Sequence, residues 1–376
     1  MRILLVGNYQ PDLQQSMQRY AIWLVHALSL RGHQVTLATP RPYFSHLAHS
    51  RGLKKYLGYL DKFLIFPPRL RWLARNFDLV HILDHSNSMY LGPVRRKPNL
   101  ITCHDVLAIR AAQGEFPASP VGRTGRLLQR WILSGLRSAR HVLCVSSKTA
   151  SDLRTLTGDT DAEMRVIYNP LNWSYQPSSV LPDDLVARLG LNPGQPFLLH
   201  VGGNSWYKNR IGVLRIYARL IAKEEFSACR LVLAGQPWSA AMRKLVRDEQ
   251  LGDRAIEAVG CSNEELQALY SHAQALLFPS LEEGFGWPLL EAQACGCPVI
   301  TSDRPPMTEV AGEAAIYIDP DNPEAAAHVI ADGLQRREQL RAAGFRNLER
   351  FAEESVVDQY CAFYEDILGR KRSAAH

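Results

Sequence analysis

The sequence predicts an α/β protein of two domains, each a parallel sheet covered on both faces by helices, and three observations carry that prediction. Twelve short, β-branched apolar runs recur along the 376 residues. The runs are continuous rather than alternating, as strands buried on both faces require. Helix-period stretches lie between them, and strand-helix alternation is the pattern of a doubly wound sheet.

In order along the first half the strands are read at 2–8 (RILLVGN), 34–40, 79–84, 99–105, 141–147 and 164–170. Nearly all end in polar, Gly or Pro residues. A helix is predicted over 17–32, closed by Gly32. The second half repeats the rhythm at 196–202, 229–235, 255–260, 275–280, 298–303 and 315–320, and turns fully helical after about residue 324. Between the halves, 171–195 carries Pro177, Pro182, Pro193 and Gly194 without sustained periodicity and reads as a connection. Two Rossmann-like domains are expected, 1–175 and 176–353. Ligands of open parallel sheets bind beyond the carboxyl ends of the strands, so two such domains facing each other would line a cleft with strand-end loops.

Composition bounds the function classes. Hydrophobic residues make up 46%, charged residues 21% and aromatics 9%, which excludes fibrous, disordered and repeat classes. No window approaches the ~20 apolar residues of a membrane span. The start MRILLVGN lacks signal-peptide features, so a soluble, cytoplasmic protein is expected. Seven cysteines, Cys103, Cys144, Cys229, Cys261, Cys295, Cys297 and Cys361, have no CxxC spacing and read as reduced, mostly buried thiols. The net charge of +6 hides an asymmetry: residues 1–175 hold 23 Lys and Arg against 10 Asp and Glu, the remainder 20 against 27. The basic half is expected to meet an anionic surface or substrate.

The strongest motif follows the strand ALLFPS: LEEGFGWPLLEAQACGCPVITSD. Gly284, Phe285 and Gly286 form a glycine-bracketed turn into a helix that starts near Trp287, with Pro288 in its first turn. Backbone N–H groups and the positive helix end would face a phosphate there. Glu283 precedes the turn and Glu291 lies one turn into the helix, so both carboxylates can flank one bound molecule. A second element is the turn after PFLLHVG, where Gly202, Gly203 and Asn204 precede Lys208 and Asn209; a lysine ammonium is a good point charge for a diphosphate. Third, His104-Asp105 ends the strand NLITCHD. That histidine can donate to a sugar hydroxyl or assist proton movement, or be satisfied by local backbone bonds. Fourth, Gly7 ends the first strand and Gln15-Ser16 precedes the following helix, in a loop able to hold phosphate or acceptor through its backbone.

The words E-G-F-G-x-P-x-x-E and A-x-A-C-G-x-P-V-I, with VGGNSWYKN (201–209), ELQALYSHAQALLFPS (265–280) and TEVAGEAAIYIDP (308–320), resemble the retaining nucleotide-sugar glycosyltransferases of family 4, of the GT-B fold. The resemblance implies that Glu283 contacts the hydroxyls of the donor sugar, Glu291 the ribose and Lys208 the pyrophosphate. Gly203, Asn204, Gly284, Phe285, Gly286 and Trp287 are implied to complete the donor site, and His104 to lie beside the reacting sugar. It further implies transfer of a hexose from a nucleoside-diphosphate sugar to a glycan or lipid-linked acceptor in bacterial polysaccharide, lipopolysaccharide or glycolipid synthesis. The last helix, about 354–376, is implied to pack back on the first domain. Two departures stand out: Tyr207 occupies a place where many relatives carry Arg, with Arg210 or Arg304 as compensators, and Gln15-Ser16 replaces a common Gly-Gly pair. These departures leave open a non-catalytic nucleotide-sugar-binding protein, or an epimerase or hydrolase of a nucleotide sugar.

No cofactor and no metal are expected. Asp159-Thr160-Asp161 spells a DxD, which in another glycosyltransferase class binds a divalent ion, but it reads here as a turn. No G-x-G-x-x-G follows the first strand. Residues 51–75 interleave Lys54, Lys55, Lys62, Arg69, Arg71 and Arg75 with aromatics, which fits either a peripheral contact at the inner membrane face or a packed helical insertion. Pro67-Pro68 is expected to interrupt any long helix there. No nucleic-acid signature accompanies the charge.

Overall fold

The structure, a computed structural model, describes all residues except 13, 48–50, 159, 193 and 374–376, and no side chain is described at 15, 47, 51–55 and 370–373. All twelve expected strands form. The first sheet contains β1 (Arg2–Val6), β2 (Gln34–Ala38), β3 (Leu79–Ile82), β4 (Asn99–Cys103), β5 (His141–Cys144) and β6 (Glu163–Val166), in the order β2-β1-β3-β4-β5-β6. The second contains β7 (Phe197–Gly202), β8 (Arg230–Gly235), β9 (Ala255–Val259), β10 (Ala275–Phe278), β11 (Val299–Ser302) and β12 (Ala315–Ile318), in the order β12-β11-β10-β7-β8-β9. Every pairing is parallel; in the first sheet, for example, Ile3 lies opposite both Val35 and Leu79. Both strand orders reverse direction once, between β1 and β3 and between β7 and β10. Ligand crevices open at such reversals.

Two compact units result, Met1–Asn172 together with the chain from Glu353, and Trp173–Ala352. In the first unit one apolar layer holds Val6, Val80, Ile101, Val142, Phe66 and Leu70. The layer on the other face of the sheet is closed by the final helix, Glu353–Ser373, whose Val356, Tyr360, Phe363 and Tyr364 pack on Ile3, Leu5, Leu79, Leu100 and Leu143. Polar bonds fix its seat. The hydroxyls of Tyr20 and Tyr360 are 2.7 Å apart, and the two ring nitrogens of buried His81 meet the Tyr364 and Thr102 hydroxyls, each at 2.7 Å. In the second unit the core joins Leu198, Leu231, Leu277 and Ile300 of the strands to Val213, Tyr217 and Ile330 of the helices.

The expected break at Pro67-Pro68 does not occur. Helix Arg51–Leu60 runs through a π-helical turn, Asp61–Ile65, into helix Phe66–Leu73 and a final tight turn, Ala74–Asn76. Both prolines fall in the first turn of Phe66–Leu73, where a missing N–H costs least, directly after the π turn re-registers the bonding. Buried Asp61 anchors this run by accepting from the Phe44 N–H (2.9 Å) and the Tyr9 hydroxyl (2.8 Å). Among the described residues no helix is long and apolar enough to cross a membrane. The seven cysteines are free thiols, five of them buried.

Candidate functional site

The second sheet assembles its polar residues at its reversal point. β7 and β8 end so close together that a Cβ on Gly235, at φ +142°, would stand 2.2 Å from the Gly202 carbonyl oxygen. Only glycine fits. From Gly202 the chain turns through Gly203 and Asn204, whose N–H donates to Gln236 Oε1 (2.8 Å) and whose Nδ2 donates to the Pro237 carbonyl (2.7 Å). Buried Arg210 donates to Asn204 Oδ1 (2.6 Å) and to the Gln236 carbonyl (2.7 Å). Asn209, in the left-handed region at φ +51°, caps the next helix by accepting from Gly212 N–H and donates to the Pro279 carbonyl (3.0 Å). The loops after β7, β8 and β10 are thereby tied into one surface.

Lys208 and Glu283 meet on that surface, Nζ to Oε1 at 2.6 Å, with side chains only 18% and 8% exposed. The ammonium also lies 5.0 Å from the Phe278 ring centroid, an attraction by the ring face. Of the two expected compensators for Tyr207, Arg210 donates through one terminal nitrogen to Asn204 and Gln236, its other two nitrogens having no partner among the described residues, and Arg304 pairs with Asp321 at 2.6 Å. Lys208 is the cation that pairs with Glu283.

Gly286, at φ +102°, ends the turn, and helix Trp287–Ala294 begins with Pro288 in its first turn as expected. Glu291 is buried in that helix and accepts from the Tyr270 hydroxyl at 2.9 Å. Burial and the adjacent Glu291 carboxylate both hold the Tyr270 hydroxyl well above its ordinary pKa. The Phe285 side chain is buried against Trp287 and Phe351, ring centroids 6.2 and 5.9 Å away, so it packs as core and leaves its backbone to any ligand.

In the first unit His104 follows β4 and is buried, edge-on to Tyr20 at 4.8 Å. Its Nε2 lies 2.9 Å from the Leu83 carbonyl. A carbonyl only accepts, so Nε2 carries the proton. Burial lowers the pKa of the ring despite the nearby Asp84, which leaves the neutral imidazole with an accepting Nδ1. The Nε2 bond to the Leu83 carbonyl is the local backbone bond that the sequence offered as one reading of His104, and it leaves Nδ1 as an acceptor. Sequence reading missed the residues beside it. Asp84, after β3, accepts from Asn8 Nδ2 (2.5 Å) and Ser86 N–H (2.7 Å), while Asn87 Nδ2 donates to Asn8 Oδ1 (2.8 Å). Burial alone would raise the Asp84 carboxyl, but His85, His104 and these donors hold it below its ordinary value. The strand-end rule applied to LVHILD would have found it.

Gly7 sits at the end of β1, where a Cβ would come within 3.2 Å of Leu37 and Thr39 side chains. Ser16 is an exposed residue of helix Gln15–Leu30. Asp159 of the DxD lies outside the described residues, and among those described no three His, Cys, Asp or Glu side chains are grouped to hold an ion.

Two family descriptions match this chain, Glycosyltransferase Family 4 over residues 17–174 and Glycosyl transferases group 1 over 183–347. The chain belongs to the family 4 glycosyltransferases. The first match contains His104 and Asp84 of the glycosyltransferase, the second Lys208, Glu283 and Glu291; Gly7 and Ser16 precede both. Its sequence is 28% identical over 311 residues to the O-antigen chain mannosyltransferase B of Escherichia coli, covering 80% of this chain and 78% of that one. A second O-antigen chain mannosyltransferase, from Salmonella typhimurium, is 32% identical over 191 residues, half of this chain and 49% of its own. Its fold matches the sucrose-phosphate synthase of Thermosynechococcus elongatus with a TM-score of 0.75 at 20% identity, over 98% of this chain and all of the other. That likeness establishes the GT-B fold of this glycosyltransferase.

Proposed function

We propose that this glycosyltransferase moves a hexose, mannose by analogy with its relatives, from a nucleoside diphosphate to a hydroxyl of a glycan or lipid-linked acceptor, with retention of anomeric configuration. The observation that carries the reading is the Lys208–Glu283 pair at the reversal point of the second sheet, with Glu291 one turn into the following helix. In this reading the second unit holds the donor and the first the acceptor. Lys208 leaves Glu283 to face the diphosphate, joined by the backbone of Gly203, Asn204 and Gly284 to Trp287, and stabilises the charge that develops as the leaving group departs. Glu283 then accepts from the sugar hydroxyls and Glu291 from the ribose. His104 Nδ1 accepts from a hydroxyl of the sugar or acceptor.

The bond from C1 to the phosphate oxygen breaks and the bond from C1 to the acceptor oxygen forms on the same face, through an oxocarbenium-like state. The acceptor proton passes to the departing phosphate. Lysine and helix-end amides supply the positive charge, so the reaction needs neither metal nor cofactor. Polysaccharide or glycolipid synthesis is the setting this chemistry serves. Residues 51–75 are the segment that would meet a membrane, and the exposed Arg71 and Arg75 support that contact, whereas Lys62 pairs with Asp12 at 2.9 Å.

The test is turnover of GDP-mannose, with UDP-sugars as alternatives, followed by NMR of the product anomer and repeated in EDTA. Retention with activity unchanged by the chelator supports the proposal. An inverted product, or a strict Mn²⁺ requirement, overturns the corresponding part.

A further inference from the structure

The helical run from residue 51 to residue 76 carries Tyr59, Phe63, Pro67, Arg71 and Arg75 at four-residue steps, the spacing of neighbours on a helix surface. The π-helical turn lies within this stripe, and its larger number of residues per turn keeps the four-residue step nearer one face. Two cavities open along it. The first, about 570 Å³, is lined by Tyr59, Phe63, Leu127, Leu128, Arg130 and Trp131. The second, about 520 Å³, begins one step further at Pro67 and is lined by Arg71, Arg75, Arg95, Arg96 and Lys97. Among the described residues no acidic side chain lines either one.

The apolar cavity is walled by packed rings, Tyr59 stacked on Phe63 at 5.5 Å and Phe63 edge-on to Trp131 at 4.9 Å. Its rim stays open to water: Leu127 is 69% and Trp131 45% exposed. Grouped exposed apolar side chains mark a binding surface. Helix Arg123–Arg137 supplies Leu127 and Trp131 and has no acidic residue in its first turn.

We propose that this face binds an anionic phospholipid of a bilayer, the apolar cavity taking the acyl portion and the arginine-lined cavity the phosphate. The proposal deepens the membrane contact suggested above by extending it from residues 51–75 to helix Arg123–Arg137 and to Arg95–Lys97. It is separate from the sugar chemistry, because Arg95–Lys97 precede β4 while His104 follows it. A soluble phosphate would account for the basic cavity but not for the aromatic groove adjoining it. A phospholipid carries both chemistries in one molecule.

The test is co-sedimentation of the full-length protein with phosphatidylcholine vesicles, alone or mixed with phosphatidylglycerol. Binding is expected only to the mixed vesicles and to fall with added salt. Arg71→Glu with Arg75→Glu should weaken it at least about tenfold. Leu127→Ser with Trp131→Ser should weaken it while leaving the salt dependence in place. No binding to mixed vesicles, equal binding to both kinds, or indifference to both variant pairs overturns the proposal. Displacement of the vesicles by inorganic phosphate at constant ionic strength overturns it in favour of a soluble-anion site. A nucleoside-diphosphate melting shift retained in all variants shows that they are folded; loss of that shift in the wild type would sink the donor reading and leave this one standing.

Discussion

Lys208 and Glu283 hold each other at 2.6 Å with little exposure, so each is the other's main compensation when no substrate is bound. Truncating one partner leaves a partly buried charge unpaired. Lys208→Ala is predicted to cost about 2 kcal/mol of stability, less than the ~3–5 of a fully buried pair, and the double variant with Glu283→Ala should recover part of it. Thermal unfolding of both variants checks this; equal or greater loss in the double variant contradicts it. Tyr270→Phe removes the donor to Glu291 and is predicted to cost about 1 kcal/mol of stability and to weaken nucleotide affinity severalfold in a calorimetric titration. Unchanged affinity would separate Glu291 from the ribose role. At this scale Glu283, Glu291 and Lys208 were legible because glycines and strand ends flank them in the sequence. Tyr270 was not, because it acts through Glu291, a partner brought near only by the packing of its helix; Asp84, at a strand end, was within reach of the same rule, and Arg210 was named only as a possible compensator for Tyr207.

The elements were read nearly to the residue where burial dictates them. Continuous apolar runs became strands, and Gly32 follows the end of helix Gln15–Leu30 at φ +77°. The reading failed at Pro67-Pro68, where a π turn invisible to periodicity carries the helix into the prolines. The close approach of β7 and β8 gives a prediction at this scale. Gly235→Ala places a methyl 2.2 Å from the Gly202 carbonyl at an unfavourable φ, so the strand ends must part. A loss of roughly 2 kcal/mol or more and weakened nucleotide binding are expected, read by melting temperature with and without ligand. A neutral outcome would mean that this junction does not position the Gly203–Asn209 turn.

At the scale of the molecule, two units with buried neutral histidines make stability depend on pH. Burial lowers His81 and His200 to about 3, and His104 is lowered as well. The unfolded chain takes up protons near the ordinary value of ~6.5 while the folded chain does not, so stability falls as pH drops from about 6.5 towards 3. Melting temperatures between pH 8 and pH 4 should decline on the acid side, and His81→Gln, which cannot titrate, should flatten part of that slope. A slope identical in wild type and variant would contradict the assignment to His81. The sequence also showed the charge asymmetry of the two halves, but not that five of the cations gather around one cavity, since that depends on which helices pack side by side.

The reversal point of the second sheet is expected to bind a nucleoside diphosphate through Lys208. The most direct measurement is a thermal-shift panel of GDP, UDP, ADP and dTDP on the wild type and on Lys208→Ala, because a ligand of the native state raises its melting temperature by mass action. At least one diphosphate is expected to stabilise the wild type, and Lys208→Ala to abolish the shift. A shift of equal size in Lys208→Ala, or no shift with any of the four in the wild type, would contradict it.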